Sequence, residues 1–452
     1  MPDPGVLSAD FCAGRLKAIS DTTRWAVVEM LIGGPLTAGA IQLALGIDPT
    51  LLSHHFRTLK HAELVVARRV GREVRYELAP GVRLTPDRRG IDLGCCQLEL
   101  HTGDPAMSSP VTDVVRNYYG VDLGGSKDLK TNACCSTEAL PPLQRSILQQ
   151  INPEIVEHFY GCGSPIPDDL DGCTVLDLGC GSGRDVFMAS ALVGDEGRVI
   201  GVDMTPEQLA IGRRHQAAQA RAFGQAQSNV TFLDGPFEDL AALGIADASV
   251  DVVISNCALN LAADKRRVFA EIHRVLKPGG ELLFSDVFAS RRLPADVAAD
   301  PLLIGECLGG ALYVEDFRRL MASVGWPDYR ILRRSEVTIG HPYAELLVGP
   351  TTFWSLKVRA FKLDGLEDLC EDYGQVATYL GTVPHQPHSF MLDDHHTFIT
   401  GKPMLVCGNT AAMVGDSRFG RHFRVLGDRS THFGPFDCAG GAKPPTEPGG
   451  CC

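Results

Sequence analysis

A glycine-rich turn that directly follows a buried strand constrains the fold of this chain more than any other feature. Residues 175–185 read Val-Leu-Asp-Leu-Gly-Cys-Gly-Ser-Gly-Arg-Asp, so a short, mostly apolar run leads into three alternating glycines. Glycine lets the backbone approach a ligand closely, and a helix that follows such a turn offers unpaired N–H groups. Ligands of α/β folds bind at the carboxyl ends of the strands. The segment therefore predicts an α/β domain with a ligand site at this turn.

Three later segments extend the prediction. A second strand over residues 198–204 ends at Asp203, whose carboxylate can accept hydrogen bonds from the ribose hydroxyls of a nucleoside. A third strand begins at Val230, and Phe237 in the turn after it can pack against an adenine ring. Residues 275–284 contain Leu-Lys-Pro-Gly-Gly and predict a helix end, a turn and a strand. A dinucleotide-binding Rossmann domain is the alternative. The spacing Gly-x-Gly-x-Gly, with Arg184 rather than a third, more distant glycine, argues against it.

Together these segments resemble the class I methyltransferases over about residues 150–290. The resemblance implies a Rossmann-like sheet and S-adenosylmethionine as the cofactor. The predicted cofactor-binding residues are Tyr160, Asp177, Gly179, Gly181, Gly183, Arg184, Asp203, Met204, Phe237, Glu238 and Asn256.

Four cysteines lie in separate motifs around this domain. They are Cys134 in Thr-Asn-Ala-Cys-Cys, Cys162 in Phe-Tyr-Gly-Cys-Gly, Cys257 in Ser-Asn-Cys, and Cys307 in Gly-Glu-Cys-Leu-Gly-Gly. Cys257 ends an apolar run, so its side chain is expected at the strand end that opens onto the cleft. Soft thiolates select soft metals and metalloids. A methyltransferase for an organic molecule is the alternative, but it would have no use for several ligating thiols.

The order of these four motifs resembles the arsenite methyltransferases, from residues 114–120 to the C-terminus. The resemblance implies that Cys162, Cys257 and Cys307 hold the trivalent arsenic of arsenite or methylarsenite. It also implies that Cys134 joins a disulfide relay or exchanges the metalloid, and that thioredoxin or glutathione resets the oxidised thiols. Arsenic bound by three thiolates keeps one lone pair, which can attack the sulfonium methyl group without a general base.

The first ninety residues have a different character. Residues 11–90 contain 12 Lys and Arg against 7 Asp and Glu, whereas the whole chain has a net charge of −13. A short helix over residues 36–45, a turn at Gly46 and a helix over residues 49–61 are followed by two strands that flank Gly71. In the second helix Leu52, Phe56 and Leu59 share one face. A basic helix-turn-helix with a β-wing predicts DNA binding; a helical adaptor with solvated arginines is the alternative.

This order of elements resembles the ArsR family of metal-sensing repressors over residues 9–80, which implies DNA binding as a homodimer. The predicted DNA-contacting residues are Ser53, His54, Arg57, Lys60, Arg68, Arg69 and Arg72. Cys95 and Cys96, just past the wing, resemble the arsenite sensor of a subset of that family. Cys12 or His101 could supply a third ligand to this regulatory arsenic site.

The predicted fold class is therefore multidomain. Its parts are a winged helix-turn-helix domain (residues 9–90), a linker (91–112), an α/β methyltransferase domain (113–325), an α+β C-terminal domain (326–439) and a disordered tail ending in cysteines (440–452). No run approaches the ~18 uncharged apolar residues of a membrane span, and the N-terminus lacks the features of a signal peptide. These observations predict a cytoplasmic location without membrane contact. The alternative function is a regulator whose methyltransferase half serves mainly as a ligand sensor.

Overall fold

The chain divides into two compact units. The computed structural model describes residues 9–32, 34–45, 47–70, 73–82, 90–99, 110–123, 129–131 and 140–438. The first unit spans Met1–Met107 and the second spans Ser108–Cys452. The expected tail after residue 439 lies outside the described residues.

The first unit is a winged helix-turn-helix, as predicted. Its helices are α1 (Ala9–Ile19), α2 (Thr22–Ile32), α3 (Ala38–Leu45) and α4 (Pro49–His61), and its strands are β1 (Leu36–Thr37), β2 (Val65–Val70), β3 (Glu73–Leu78), β4 (Gly90–Asp92) and β5 (Gln97–Glu99). Strands β2 and β3 form an antiparallel hairpin, and β1 pairs with β3. Strands β4 and β5 form a separate antiparallel pair.

Helix α4 shows how the sequence fixes the local structure of this unit. Asp48 caps the helix by accepting a hydrogen bond from the backbone N–H of Thr50 at 2.7 Å, and Pro49 occupies the first turn. Leu52, Phe56 and Leu59 are buried in the core of the unit, as their spacing predicts. The opposite face of α4 is left exposed.

The second unit contains the remaining elements. Its helices are α5 (Pro110–Asn117), α6 (Pro142–Leu148), α7 (Pro153–Glu157), α8 (Arg184–Leu192), α9 (Pro206–Ala222), α10 (Lys265–Val275), α11 (Ala295–Ala298), α12 (Pro301–Gly305), α13 (Val314–Ser323), α14 (Pro342–Val348) and α15 (Gly408–Gly415). A π-helical turn (Tyr118–Asp122) follows α5, and 3-10 turns lie at Leu259–Leu261 and Arg418–His422.

The strands of the second unit are β6 (Thr174–Leu178), β7 (Arg198–Asp203), β8 (Val230–Asp234), β9 (Val250–Asn256), β10 (Leu276–Ala289), β11 (Leu312–Tyr313), β12 (Arg330–Val337), β13 (Phe353–Phe361), β14 (Glu371–Asp372), β15 (Gln375–Tyr379), β16 (Ser389–Met391), β17 (Thr397–Ile399), β18 (Met404–Val406), β19 (Phe423–Leu426) and β20 (Gly434–Pro435). The main sheet has the order β12-β13-β10-β9-β6-β7-β8, with β11 paired to β10. Strands β6 to β10 run parallel to one another, whereas β13 runs antiparallel to both of its neighbours, β10 and β12.

Helices cover both faces of this sheet. Successive strand residues point to opposite faces, and Val175 and Leu176 of β6 belong to different hydrophobic clusters. Burial on both faces explains why the strands appear in the sequence as nearly continuous apolar runs. The parallel order places the carboxyl ends of β6, β7 and β9 at one edge, where the glycine-rich turn begins.

The C-terminal part of the chain continues the main sheet before it forms smaller ones. Strands β12 and β13 extend the sheet past residue 325, so the boundary expected there falls inside the second unit. Beyond β13 the strands form a three-stranded sheet (β18-β15-β19), a hairpin of β16 with β17 and a short long-range pair of β14 with β20, and this region has a separate hydrophobic core. None of the described helices combines the length and hydropathy that crossing a bilayer would require.

Candidate functional site

A cavity of about 750 Å³ opens at the carboxyl ends of β6, β7 and β9. This is the sheet edge predicted from the glycine-rich turn, and it is where α/β folds bind their ligands. Eight of the eleven predicted cofactor residues line it: Tyr160, Asp177, Gly179, Gly181, Asp203, Met204, Phe237 and Asn256. Gly181 has a φ of 53° and open space where a Cβ would stand, so its backbone is accessible to a ligand.

The other three predicted cofactor residues are placed differently. A Cβ on Gly183 would lie 2.9 Å from the Phe232 ring, so the absence of a side chain at this position lets the turn pack closely against Phe232. The Arg184 guanidinium donates to Asp185 Oδ1 at 2.6 Å and stacks on the Phe159 ring. Glu238 accepts a hydrogen bond from the backbone N–H of Ala263 at 3.1 Å. None of these three residues lines the cavity.

Asp203 organises the turn at the end of β7. Its two carboxylate oxygens accept hydrogen bonds from the backbone N–H groups of Gly181 and Thr205, both at 2.8 Å. A carboxylate has about four lone-pair positions, so acceptor capacity remains for a ligand. Burial raises the pKa of this carboxyl, and the two N–H groups oppose that shift.

A second acidic group lies deeper in the same cavity. Burial raises the pKa of Asp177 well above its usual range, and the neighbouring charges of Asp185 and Asp203 add to the effect. Asn256 donates to Asp185 Oδ2 and to the carbonyl of Gly163, both at 2.8 Å. These bonds connect the end of β9 to the first turn of α8 and to the segment that carries Cys162.

Sequence reasoning missed several polar residues of the lining, among them Asp185 and Gln208. Asp185 directly follows the predicted Arg184. Its position in the first turn of α8, after the glycine-rich turn, was the sequence signal that could have identified it as a lining residue. Gln208 lies on α9, donates from Nε2 to the carbonyl of Tyr119 at 3.0 Å, and is buried. Its Oε1 is buried without a hydrogen-bond partner among the described residues. Such an atom at the cavity wall suits a ligand that donates a hydrogen bond.

The three cysteines predicted to bind arsenic converge beside this cavity. Cys162 and Cys257 are joined as a disulfide with a Cα–Cα distance of 5.9 Å. The Cys307 thiol donates to the backbone carbonyl of Cys257 at 3.1 Å, and the Tyr119 hydroxyl lies 3.7 Å from Cys307 Sγ. All three cysteines are buried, and Cys257 also lines the cofactor cavity. The fourth predicted cysteine, Cys134, lies outside the described residues.

Glu306, next to Cys307, is a further residue that sequence reasoning missed. Its buried carboxylate accepts hydrogen bonds from the Tyr118 hydroxyl at 2.5 Å and from the backbone N–H of Lys130 at 2.6 Å. It also accepts from the backbone N–H and the hydroxyl of Thr131, at 2.9 and 2.6 Å. One carboxylate thus holds the chain segment that precedes Cys134 against the turn that carries Cys307.

In the first unit, the predicted DNA-contacting residues form an exposed surface. Ser53, His54, Arg57 and Lys60 are exposed on α4, and Arg68 and Arg69 are exposed on β2. Arg68 pairs with Glu77 on the neighbouring strand at 3.0 Å, which directs its guanidinium along the hairpin. Arg72 lies outside the described residues.

The cysteine pair past the wing is joined by the cysteine near the N-terminus. The thiol of Cys95 is in hydrogen-bonding contact with Cys12 and with Cys96. These contacts raise the pKa of the Cys12 thiol to about 11, mainly through the hydrogen bond to Cys95. His101, the other candidate for a third ligand, lies outside the described residues.

Comparison with known proteins decides the family. An arsenite methyltransferase of Aquipseudomonas alcaligenes is 49% identical over 330 residues, which cover 73% of this chain and 95% of that protein. The chain belongs to the arsenite methyltransferase family. The human arsenite methyltransferase is 39% identical over 320 residues, which cover 70% of this chain and 84% of the human protein.

A solved structure and two domain families agree with this membership, and a third family matches the first unit. The arsenic (III) S-adenosylmethionine methyltransferase of Chlamydomonas reinhardtii superposes with a TM-score of 0.64 at 52% identity, covering 66% of this chain and all of that one. Residues 169–325 match the family "Methyltransferase domain", and residues 373–445 match "Arsenite methyltransferase C-terminal domain". Residues 21–66 match "Bacterial regulatory protein, arsR family", so this member of the arsenite methyltransferases also carries an ArsR-type domain.

Proposed function

We propose that the second unit transfers methyl groups from S-adenosylmethionine to trivalent arsenic held by Cys162, Cys257 and Cys307. The observation that carries the proposal is the position of Cys257, which contacts the other two cysteines and also lines the cofactor cavity. A soft metalloid bound there lies next to a nucleoside site. Arsenite and methylarsenite are the expected substrates, because methylarsenite still has two exchangeable hydroxyl groups and can bind two thiolates of the set.

The lining residues fit the cofactor. Asp203 would accept hydrogen bonds from the ribose, and the Phe237 ring would pack against the adenine. The unpartnered Oε1 of Gln208 offers one further acceptor. When bound, S-adenosylmethionine supplies a methyl group on a positively charged sulfur. The carboxyls of the buried Asp177 and the partly buried Asp203 line the cavity and favour binding of that positive charge.

Arsenic capture requires reduced sulfur. Three thiols displace the three hydroxyl groups of arsenite, so that three As–S bonds form and three water molecules are released. The arsenic lone pair then forms the As–C bond, and this step oxidises the arsenic by two electrons. A thiol pair that closes to a disulfide returns those two electrons. The Cys162–Cys257 disulfide is the oxidised state of two of the ligands, so an external thiol reductant such as thioredoxin or glutathione must reopen it.

Cys134 is proposed as the thiol that exchanges with this set. It follows Thr131 by three residues, and three residues span at most about 11 Å. Glu306 holds Thr131 next to the Cys307 turn. The carboxylate of Glu306 therefore keeps the attachment point of Cys134 within reach of the buried cysteines. The need for reduced thiols also supports a cytoplasmic location.

The test is arsenic speciation. Purified protein is incubated with sodium arsenite, S-adenosylmethionine and a thiol reductant, and soluble and volatile arsenic species are separated. Methylated arsenic is expected from the parent and from Cys173→Ser, which changes a buried cysteine outside the site. Cys257→Ser should form no methylated arsenic yet still bind S-adenosylmethionine. Unchanged arsenite with the parent, shown to bind the cofactor, would overturn the proposal and favour a regulator that uses the cavity as a sensor.

We further propose that the first unit is an arsenite-responsive DNA-binding module that acts as a homodimer. The exposed cationic face of α4 and the wing supports DNA contact. The contact of Cys95 with Cys12 and Cys96 supports a three-thiol regulatory site, with Cys12 as its third ligand. Salt-sensitive binding to the chain's own upstream DNA that arsenite releases is expected. Persistent release by arsenite in a Cys95→Ser/Cys96→Ser variant would contradict the sensor assignment.

A further inference from the structure

Three cysteines of the C-terminal region form a cluster separate from both thiol groups described above. The Sγ atoms of Cys370, Cys407 and Cys438 all lie within 4.8 Å of one another. Their positions in the sequence follow no metal-binding spacing, so the fold alone brings them together. We propose that this cluster is a second, non-catalytic binding site for trivalent arsenic in the methyltransferase unit.

The backbone explains how the cluster is built. Strands β14 and β20 pair in antiparallel register, and the N–H of Phe436 donates to the carbonyl of Cys370 at 2.8 Å. This pairing places Cys370, just before β14, beside Cys438, just after β20. Cys407 comes from another element, since it caps the N-terminus of α15. The paired strands β14 and β20 and the start of helix α15 therefore hold the three sulfur atoms close together.

The surroundings of Cys407 favour a thiolate. Its Sγ accepts a hydrogen bond from the backbone N–H of Thr410 at 3.4 Å and lies 3.2 Å from the Thr410 hydroxyl. The buried Arg330 guanidinium lies 3.9 Å from the same sulfur. A helix N-terminus and a nearby cation both stabilise negative sulfur. Thiolate is the form that binds soft ions.

The number of ligands indicates which ion fits. Structural zinc sites almost always have four protein ligands. Among the described residues, no fourth histidine, cysteine or carboxylate joins the three sulfur atoms. Three thiolates and a lone pair complete the coordination of trivalent arsenic, so the cluster suits arsenite. Binding exchanges three S–H and three As–OH groups for three As–S bonds and three water molecules, without an oxidant or a reductant.

The cluster is accessible to solvent and lies apart from the cofactor cavity. Cys370 and Cys438 are half-buried, whereas Cys407 is buried. Cys438 lines an open cavity of about 990 Å³ that shares no residue with the cofactor cavity. Arsenite can therefore enter from solvent and bind without contacting the methyl donor. The choice of arsenite as the ligand rests on the proposed function of the unit.

The test measures arsenic per chain by mass spectrometry of the metal content after gel filtration. The full-length protein is reduced, incubated with sodium arsenite and compared with variants. Cys407→Ser should lose about one arsenic per chain, since serine keeps the helix cap but removes a ligand. Cys438→Ser, which changes a half-buried residue, should lose the same amount, and Cys173→Ser should lose none. Cys257→Ser should lose the catalytic arsenic only, and adding Cys407→Ser should remove a further equivalent.

The outcomes separate this inference from the proposed function. Equal arsenic content in the parent, Cys407→Ser and Cys438→Ser would overturn the second site, even with methylation intact. Zinc at one equivalent per chain, lost in Cys407→Ser, would also overturn it, because the cluster would then be a structural zinc site. Absence of methylated arsenic together with loss of one equivalent in Cys407→Ser would leave the second site standing and remove the proposed activity.

Discussion

The thiol of Cys307 donates a hydrogen bond to the backbone carbonyl of Cys257 at 3.1 Å, across a sequence separation of 50 residues. Both cysteines have left-handed backbones, with φ of 60° for Cys307 and 54° for Cys257. A non-glycine residue in this region costs roughly 1–2 kcal/mol, and such strain concentrates at functional sites. Two strained residues in direct contact thus fix the geometry of the proposed arsenic site.

Loss of the Cys307 thiol should stop catalysis without abolishing the binding of S-adenosylmethionine. Supporting residues around a bound metal typically contribute about 10- to 100-fold, so removal of a direct ligand should lower turnover by more than ~100-fold. Cys307→Ala is compared with Cys173→Ala in the speciation assay, and S-adenosylmethionine binding is measured by calorimetry. Turnover above one-tenth of the parent rate would remove Cys307 from the ligand set.

Asp203→Asn should weaken S-adenosylmethionine binding by about 10- to 100-fold, because hydrogen bonds to a charged group contribute about 1.5–3 kcal/mol. Asp234 ends the neighbouring strand β8, is exposed and does not line the cavity, so Asp234→Asn is the matched control. Calorimetric titration of both variants measures the difference. Equal affinities for S-adenosylmethionine in the two variants would show that Asp203 only organises the turn.

Glu306→Gln should reduce turnover while leaving S-adenosylmethionine affinity unchanged. Glutamine places an amide N–H₂ where the carboxylate now accepts from Lys130 and Thr131. The lost charged hydrogen bonds should lower the free energy of unfolding by about 1.5–3 kcal/mol. Urea unfolding measures the stability, and the rate with limiting reductant measures the supply of the Cys134 thiol. Exposed Glu196 gives the control Glu196→Gln, and the same fall in both variants would contradict a positioning role.

The free energy of unfolding should fall as Asp286 ionises. Burial raises the pKa of this carboxyl to about 7 in the folded chain, against 3.8 as the ordinary value. The folded state holds the proton more tightly, so the contribution of Asp286 is largest below pH 3.8 and declines as the pH rises to about 7. Asp286→Asn cannot titrate, and its stability relative to the parent should rise across that window. Urea unfolding at several pH values, with exposed Asp195→Asn as control, measures this; a flat difference would contradict the assignment.

Arg57→Ala should weaken binding of the first unit to all DNA sequences about equally and lower the salt slope by about one. Arg57 is exposed on α4 among the polar residues of that helix. Arg221→Ala, which changes an exposed arginine at the end of α9, is the control in the full-length chain. Fluorescence anisotropy at several salt concentrations measures both. An unchanged slope in Arg57→Ala would place the DNA contact elsewhere.

The sequence predicted what depends on local pattern. The helices and wing of the first unit and the strands that carry Asp203 and Cys257 follow from apolar periodicity and glycine turns, and the structure confirms these elements. The grouping of Cys162, Cys257 and Cys307 was implied by family resemblance alone. Glu306 and the Cys370–Cys407–Cys438 cluster could not be predicted, because only long-range strand pairing and chain packing bring their partners together.

The buried carboxyls of the cofactor cavity have a further consequence for ligand exchange. Asp177 and Asp203 hold their protons more tightly than ordinary aspartates because they are buried. A cation in the cavity and a proton on these carboxyls therefore compete for the same negative charge. A positively charged ligand should release protons as it enters, and a neutral ligand of the same shape should not. Because methyl transfer converts the charged form into the neutral one, the cavity itself favours the reactant over the spent product.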